Sequence, residues 1–140
     1  MSKIPDRLYI DKTDKELFDS EILNEVFSGK DNKDKFLFAM SIGFRNDLKY
    51  TLQSREGYVR AEYLQLNDEA LIDSLAIYDS QSVDVISDRE RVFKIAEEYA
   101  RGGIRLLYDK LTSSQPGSYI KKLESELYGI LEEEGFLDNS

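Results

Sequence analysis

The spacing of apolar residues along the chain predicts a mainly helical protein with one short N-terminal strand. In residues 6–12, DRLYIDK, Leu8 and Ile10 share one face and Tyr9 falls on the other, which is typical of a strand. Further along, apolar residues recur at spacings of three and four, the period of an amphipathic helix. The pattern predicts about five helices, near residues 13–29, 31–46 and 67–79, from residue 87 toward a loop at 116–117, and over residues 118–135.

Residues suited to N-terminal caps support the predicted starts of the helices. Thr13 or Asp14 is suited to cap the first helix, and Asp31 or Asn32 the second. The fourth helix is expected to begin at a capping box formed by Ser87 and Glu90. These residue types satisfy the free N–H groups of a first helical turn, so each helix has a defined beginning.

The second predicted helix is apolar on nearly every side from Phe36 to Phe44. A helix of this kind is either central in its domain or buried in a partner. The periodicity then disappears from residue 47 to residue 65, where tyrosines mix with basic residues around Gly57. This segment is expected to be a long connection with extended pieces, including a small β-hairpin near residues 50–65.

Two adjacent glycines, Gly102 and Gly103, lie inside the fourth predicted helix. A glycine in a helix interior is destabilising by roughly 1 kcal/mol relative to alanine, so the pair needs a reason. Ala96, Ala100 and Gly103 fall on one helical face, which predicts a close crossing with the apolar helix at its Gly43. For Gly102, a kink and a surface contact both stay open.

The composition indicates a single globular domain. The chain has 140 residues, of which 41% are hydrophobic and 34% charged, and we expect one helical domain over residues 1–137 with a free tail at 138–140. The longest apolar run, FLFAM, is far shorter than the roughly 20 residues of a membrane span. The N-terminus does not resemble a signal peptide and cysteine is absent, so we expect a cytoplasmic protein.

The residue types exclude several kinds of active site. The sequence has neither histidine nor cysteine and lacks the glycine-rich phosphate motifs, so we predict no enzyme, cofactor or metal. The run Glu132–Glu134 is expected to be a solvated helix end. A distant alternative is a metal-dependent nuclease that assembles its centre from the separate carboxylates Asp68, Asp73, Asp79, Asp84 and Asp88.

The formal charge of −9 argues against broad attraction to nucleic acid, but the charge is uneven. Residues 31–60 have six basic and four acidic side chains, whereas residues 61–88 have seven acidic and none that is basic. Basic groups alternate with aromatic ones in the irregular segment, a combination that can hold a nucleic-acid backbone or a protein partner. The candidate contact residues are Arg45, Lys49, Arg55, Tyr58 and Arg60.

The order of strand, helix, short turn and second helix is also that of the ribbon-helix-helix DNA-binding unit. In that unit strands from two copies pair and enter the major groove, which makes a DNA-binding transcriptional regulator an alternative function. Arg7, Tyr9 and Asp11 would then face the bases. The acidic residue in that set weakens the hypothesis, because such ribbons are typically basic.

Several segments are similar to a family of small proteins associated with the Dnd (DNA phosphorothioation) systems of bacteria and archaea. They include KDKFLFAMSIGF, a segment ending in REGYVRAEYL, ALIDSLAIYD and RVFKIAEEYARGGIRLLYDKL, and the resemblance covers roughly residues 33–125. The N-terminal part also faintly resembles the small DndE subunit. The resemblance implies a non-enzymatic accessory of a DNA-modification or phage-defence system, which acts as an interaction module or adaptor. It implies protein partners, either other subunits or a second copy in a homo-oligomer, and it leaves DNA open as a ligand.

Overall fold

The computed structural model describes residues 4–113 together with residues 124 and 125. The protein is mainly helical, and the described part contains five helices and two strands. In chain order these are β1 (Arg7–Asp11), α1 (Lys15–Phe18), α2 (Glu21–Val26), α3 (Asn32–Arg45), β2 (Arg55–Arg60), α4 (Leu66–Ser80) and α5 (Arg89–Leu111). Short 3-10 turns lie at Lys12–Asp14, Ala61–Tyr63 and Val83–Ser87. The fifth predicted helix, over residues 118–135, lies outside the described residues apart from two positions.

α3 and α5 form the centre of the fold and pack closely along each other. The apolar run of the second predicted helix explains this position, because Phe36, Ala39 and Met40 are all completely buried. The Asp31 carboxylate accepts the Asp34 N–H at 3.0 Å and starts α3 where the sequence predicts it. The remaining core side chains come from both strands and from every other helix.

The two strands form an antiparallel sheet that joins the N-terminus to the middle of the chain. Pairing extends from Arg7 opposite Arg60 to Asp11 opposite Arg55, with a bulge at which Tyr58 is the additional residue. Extended structure near residues 50–65 is therefore confirmed, with a correction to its pairing. Residues 55–60 are one continuous strand whose partner is β1, so no turn of a local hairpin forms there.

This pairing bears directly on the ribbon-helix-helix hypothesis, which requires β1 to pair with its copy in a dimer. β1 already pairs with β2 of the same chain. Asp11, one of the three residues expected to face DNA bases, is completely buried. Of the three residues that the hypothesis assigns to base contacts, only Arg7 is fully exposed, so they do not form an open face on β1.

Two of the predicted helices need correction, one because it is divided and one because it starts later. The first predicted helix is divided into α1 and α2, because the hydroxyl of Ser20 accepts the Leu23 N–H at 3.4 Å and starts a new helix. α5 begins one residue later than predicted, because Asp88 is its N-cap and accepts the Arg91 N–H at 3.2 Å. The Ser87 hydroxyl donates to the Asp84 carbonyl, and the N-cap position predicted for Ser87 is taken by Asp88.

Candidate functional site

α3 and α5 approach each other through a glycine on each helix. A Cβ placed on Gly43 would overlap the carbonyl oxygen of Tyr99, and one placed on Gly103 would overlap that of Ala39. The two backbones are therefore in contact at the residues for which the sequence predicts a helix crossing. Only glycine leaves room for this separation.

The other small residues of α5 are buried as well. Ala96 and Ala100 are completely buried. Gly102 faces the loop after α3, where a Cβ would overlap the carbonyl oxygen of Leu48. The loop backbone thus rests on Gly102, which gives this glycine a packing role independent of that of Gly103.

Carboxylates are buried where the N-terminal segment meets α5: Asp11 and Asp14 are 0% exposed and Glu97 is 2% exposed. The Asp11 carboxylate accepts the N–H of Gln53 at 2.6 Å and that of Thr13 at 3.0 Å. Burial alone would raise the pKa of Asp11, but these N–H donors outweigh it and hold the pKa well below its ordinary value. A charged Asp11 therefore fixes the loop that enters β2.

Asp14 is held by two arginines one turn apart on α5. Arg101 Nε lies 3.1 Å from Asp14 Oδ2, and Arg105 Nε lies 3.1 Å from Asp14 Oδ1. Arg101 also lies 3.5 Å from Asp11 Oδ2. Burial raises the pKa of Asp14 despite both arginines. The ion pairs fix the turn after β1 onto α5.

Glu97 connects α5 to both strands. Its Oε2 accepts the Tyr9 N–H at 2.8 Å, and its Oε1 accepts Arg55 Nη2 at 2.9 Å. The Arg55 guanidinium also lies 4.3 Å from the centre of the Tyr9 ring. Burial raises the pKa of Glu97 to about 7 against the lowering effect of both donors. This carboxylate therefore titrates near neutral pH.

The same residues line a cleft of about 950 Å³ between the N-terminal segment and α5. Its charged lining consists of Asp6, Arg55, Glu90, Lys94, Glu97 and Glu98, so acidic groups outnumber basic ones. This balance is unfavourable for a phosphate. Both oxygens of Glu97 are already bonded to protein groups, which suits a carboxylate that joins elements of the fold.

The predicted basic residues do not form a common cationic surface. Lys49, Arg55 and Arg60 line three different clefts, and each pairs with an acidic side chain of the same chain. The partners are Asp79 for Lys49 at 2.8 Å, Glu97 for Arg55 at 2.9 Å and Glu62 for Arg60 at 3.4 Å. Each of these three cations therefore has an acidic neighbour within the molecule.

The two other candidate contact residues are also separated. Arg45 is exposed at the C-terminal end of α3. Tyr58 turns inward, and its ring centre lies 4.9 Å from that of Phe18. Its hydroxyl is buried and has no hydrogen-bond partner among the described residues. Tyr58 thus belongs to the packing beneath the bulge and does not offer a stacking surface.

The outer surface of α4 consists of uncharged side chains. With 3.6 residues per turn, its exposed residues fall within an arc of about 140°. This set, called the α4 face, consists of Leu66, Asn67, Ala70, Leu71, Ser74 and Tyr78. All six are exposed and none is charged. Leu66 and Tyr78 are especially open, at 86% and 66% exposure.

The acidic side chains of α4 lie beside this face, and three of them are paired. The ion pairs join Asp68 to Lys33 at 2.9 Å, Asp73 to Arg89 at 2.8 Å and Asp79 to Lys49 at 2.8 Å. For Asp68, burial opposes ionisation, but the Gln65 N–H and Lys33 hold its pKa below the ordinary value. The net acidity of this part of the sequence is therefore largely balanced in the structure.

The sequence prediction missed both features. Glu97, Arg101 and Arg105 recur every four residues on α5, a spacing from which a polar stripe could have been predicted. The α4 face was harder to detect, because α4 has apolar residues on its core side as well as its outer side. Periodicity alone does not tell these two sides apart.

Metal-ligand clusters and membrane-spanning helices can be sought among the described residues. Within residues 4–113, 124 and 125, no group of three or more acidic, histidine or cysteine side chains converges as metal ligands would. Over the same residues, no helix has the length and apolar character needed to cross a bilayer.

Comparison with known families supports the resemblance found in the sequence. The model of the family described as DNA sulphur modification system-associated protein 4 matches residues 12–134, nearly the whole chain. Comparisons with curated proteins and with solved structures give no match. The predicted kinship with Dnd-associated proteins is confirmed. The chain therefore belongs to the family of DNA sulphur modification system-associated protein 4.

Proposed function

We propose that the protein is a non-enzymatic cytoplasmic accessory of a DNA sulphur modification system with a role in phage defence, and that it acts as an adaptor through protein contacts. Family membership supports the association with the system. The α4 face is the observation that supports the mode of action. Binding through this face would remove exposed apolar side chains from water, which is the main driving force of most protein association.

The absence of charge on the α4 face favours a protein ligand over DNA. About a third of all residues in the chain are charged, yet the six members of this face are uncharged. Interface centres are typically depleted in charge and enriched in aromatic residues, which fits Tyr78. A DNA-binding surface instead needs several cations to neutralise phosphates.

The pairing of the basic residues weakens the alternative of a DNA-binding regulator. A phosphate would have to compete with Asp79 for Lys49 and with Glu97 for Arg55. The formal charge of −9 adds long-range repulsion from DNA. Protein contact is therefore the function that the geometry supports best.

The experiment is co-purification from cells that express the complete modification locus with a tagged copy of this chain. We expect the wild-type chain to retain at least one other subunit of the system, identified by mass spectrometry. Leu66→Glu should reduce that retention, because a charge on the α4 face would have to be desolvated on binding. Leu66 is at the first position of α4, where an acidic residue favours the helix, so folding should be preserved.

Ser28→Glu is the matched control, since it adds the same charge at an exposed residue outside the α4 face. It should retain the subunits as the wild type does. The proposal would be overturned if the wild-type chain retained no subunit of the system. Salt-sensitive binding of the purified chain to duplex DNA, weakened by Arg60→Ala, would favour the regulator instead.

A further inference from the structure

We infer that the α4 face binds a second copy of this chain, and that two α4 helices pack antiparallel about a two-fold axis. The inference rests on the proposed function, because it takes the α4 face as a protein-binding surface, and a reversible dimer would compete with another subunit for that face. Along the face, Leu66, Ala70, Ser74 and Tyr78 follow each other at intervals of four residues. They form one ridge on the outer side of α4.

The sizes of the side chains along this ridge are symmetric about its centre. Large side chains stand at both ends and small ones in the middle, and the centre of the series falls at position 72. A two-fold axis at that point places Leu66 opposite Tyr78 of the second copy and Ala70 opposite Ser74 of the second copy. In a two-fold dimer the same patch must fit itself, and this order of sizes does so.

The small residues at the centre permit close approach without leaving polar groups unpaired. The Ser74 hydroxyl already donates to the Ala70 carbonyl at 2.7 Å, so it needs no partner across the interface. Ridges of this spacing on both helices pack at a crossing angle of about −50°, the commonest class in globular proteins. At the end of the ridge, the Tyr78 ring is held edge-on against Phe44, with ring centres 5.1 Å apart.

The charge distribution permits a second copy as the occupant of the α4 face. Two molecules of formal charge −9 repel each other wherever their charged surfaces meet. The α4 face lacks charge, and three carboxylates beside it are paired with cations of the same chain. The six residues of this face therefore bring no like charges together when two copies touch.

The size of the surface indicates a reversible dimer. α4 has 15 residues and is about 22 Å long, so two such helices bury less than the roughly 800 Å² per partner of a standard interface. Tyr63 and Val83, in the 3-10 turns before and after α4, are also exposed, at 61% and 65%. We expect a dimer whose population depends on protein concentration.

The test is sedimentation of the purified full chain over a range of concentrations. The wild type should shift from monomer to dimer as the concentration rises. Ala70→Glu should weaken the dimer by about 100-fold, because the two-fold axis brings both new carboxylates into the interface. Alanine to glutamate is mild at an exposed helical position, and circular dichroism will verify the fold. Ser28→Glu should dimerise as the wild type does.

Mixing two variants tests the antiparallel register. Ala70→Glu and Ser74→Lys should form a mixed dimer more readily than Ala70→Glu associates with itself, because the axis places residue 70 opposite residue 74. A wild-type chain that stays monomeric at every concentration would overturn the inference. A dimer unaffected by Ala70→Glu would overturn it as well.

The two proposals can fail separately. If the purified chain is monomeric but still retains another subunit in the co-purification, and Leu66→Glu abolishes that retention, the α4 face binds that subunit. The adaptor function then stands and the dimer is wrong. If the chain dimerises but retains no subunit, the dimer stands and the adaptor function is wrong.

Discussion

At the scale of single residues, Gly103 sets the distance between α3 and α5. A Cβ at this position would overlap the Ala39 carbonyl oxygen. That carbonyl is part of the α3 backbone and cannot rotate away. We expect Gly103→Ala to lower the free energy of unfolding by about 2 kcal/mol or more, since overpacking outweighs the roughly 1 kcal/mol gained in helix propensity.

Urea unfolding followed by circular dichroism measures this change. Gly57→Ala is the control, because the added methyl group would meet the Arg7 side chain, with its Cδ at 2.9 Å. A flexible arginine can move aside, so this variant should lose little stability. Equal stability of the two variants would contradict the crossing as a backbone contact.

Glu97 gives the stability of the protein a specific dependence on pH. The pKa of the Glu97 carboxyl is about 7 in the folded chain, whereas its ordinary value is 4.5. Between these limits the unfolded chain releases a proton that the folded chain retains, so stability falls as the pH rises. The loss amounts to about 3 kcal/mol at 1.36 kcal/mol per unit of pKa difference.

Glu97→Gln removes this proton exchange. We therefore expect the stability of the wild type relative to this variant to fall by a few kcal/mol between pH 4.5 and pH 8. Chemical unfolding at several pH values measures the difference. Glu16→Gln, at an exposed position of α1, serves as the control and should show no comparable trend. A constant difference between wild type and Glu97→Gln would show that Glu97 ionises normally in the folded chain.

At the scale of elements, α5 has an apolar face that packs on α3 and a polar face that binds the N-terminal segment. One face is apolar and contacts α3 through Gly103. The other presents Glu97, Arg101 and Arg105 to the N-terminal segment. Breaking such a buried ion pair by removing one partner is typically costly, whereas an apolar replacement of both is often tolerated. The polar face thus fixes where β1 lies on α5.

The elements differ in how well the sequence predicts them. α3 is predicted to within about a residue, because Asp31 is a local cap and the apolar run extends without a break. The pairing of β1 with β2 is not predictable in this way, since it joins residues more than 40 positions apart. The buried carboxylates were also missed, because a hydropathy pattern assigns Asp11 and Glu97 to the surface.

In the candidate site too, features set by local spacing are predicted from the sequence, whereas contacts between residues far apart in the sequence are not. The sequence predicts the small residues of the α3–α5 crossing because a helical face can be drawn from local spacing. It failed to recognise that Lys49 and Arg55 are paired, because Asp79 and Glu97 lie 30 and 42 residues away. The basic segment is therefore less available to a ligand than its sequence pattern indicates.

At the scale of the whole molecule, charge determines how copies of this chain meet. Each carries a formal charge of −9, while the surface proposed for dimerisation is uncharged. Electrostatic repulsion between copies therefore acts at long range, whereas burial of apolar side chains stabilises the dimer only at contact. Salt weakens the repulsion without weakening the apolar contact, because the screening length falls from about 30 Å at 0.01 M to about 10 Å at 0.1 M.

We therefore expect dimerisation to strengthen when salt is added, a trend opposite to that of DNA binding. Sedimentation at a fixed protein concentration over a series of sodium chloride concentrations measures it. Ser28→Glu makes each copy more negative without changing the α4 face, so its dimer should gain at least as much from salt as that of the wild type. A dimer that dissociates on addition of salt would instead depend on ion pairs across its interface, which the uncharged α4 face does not supply.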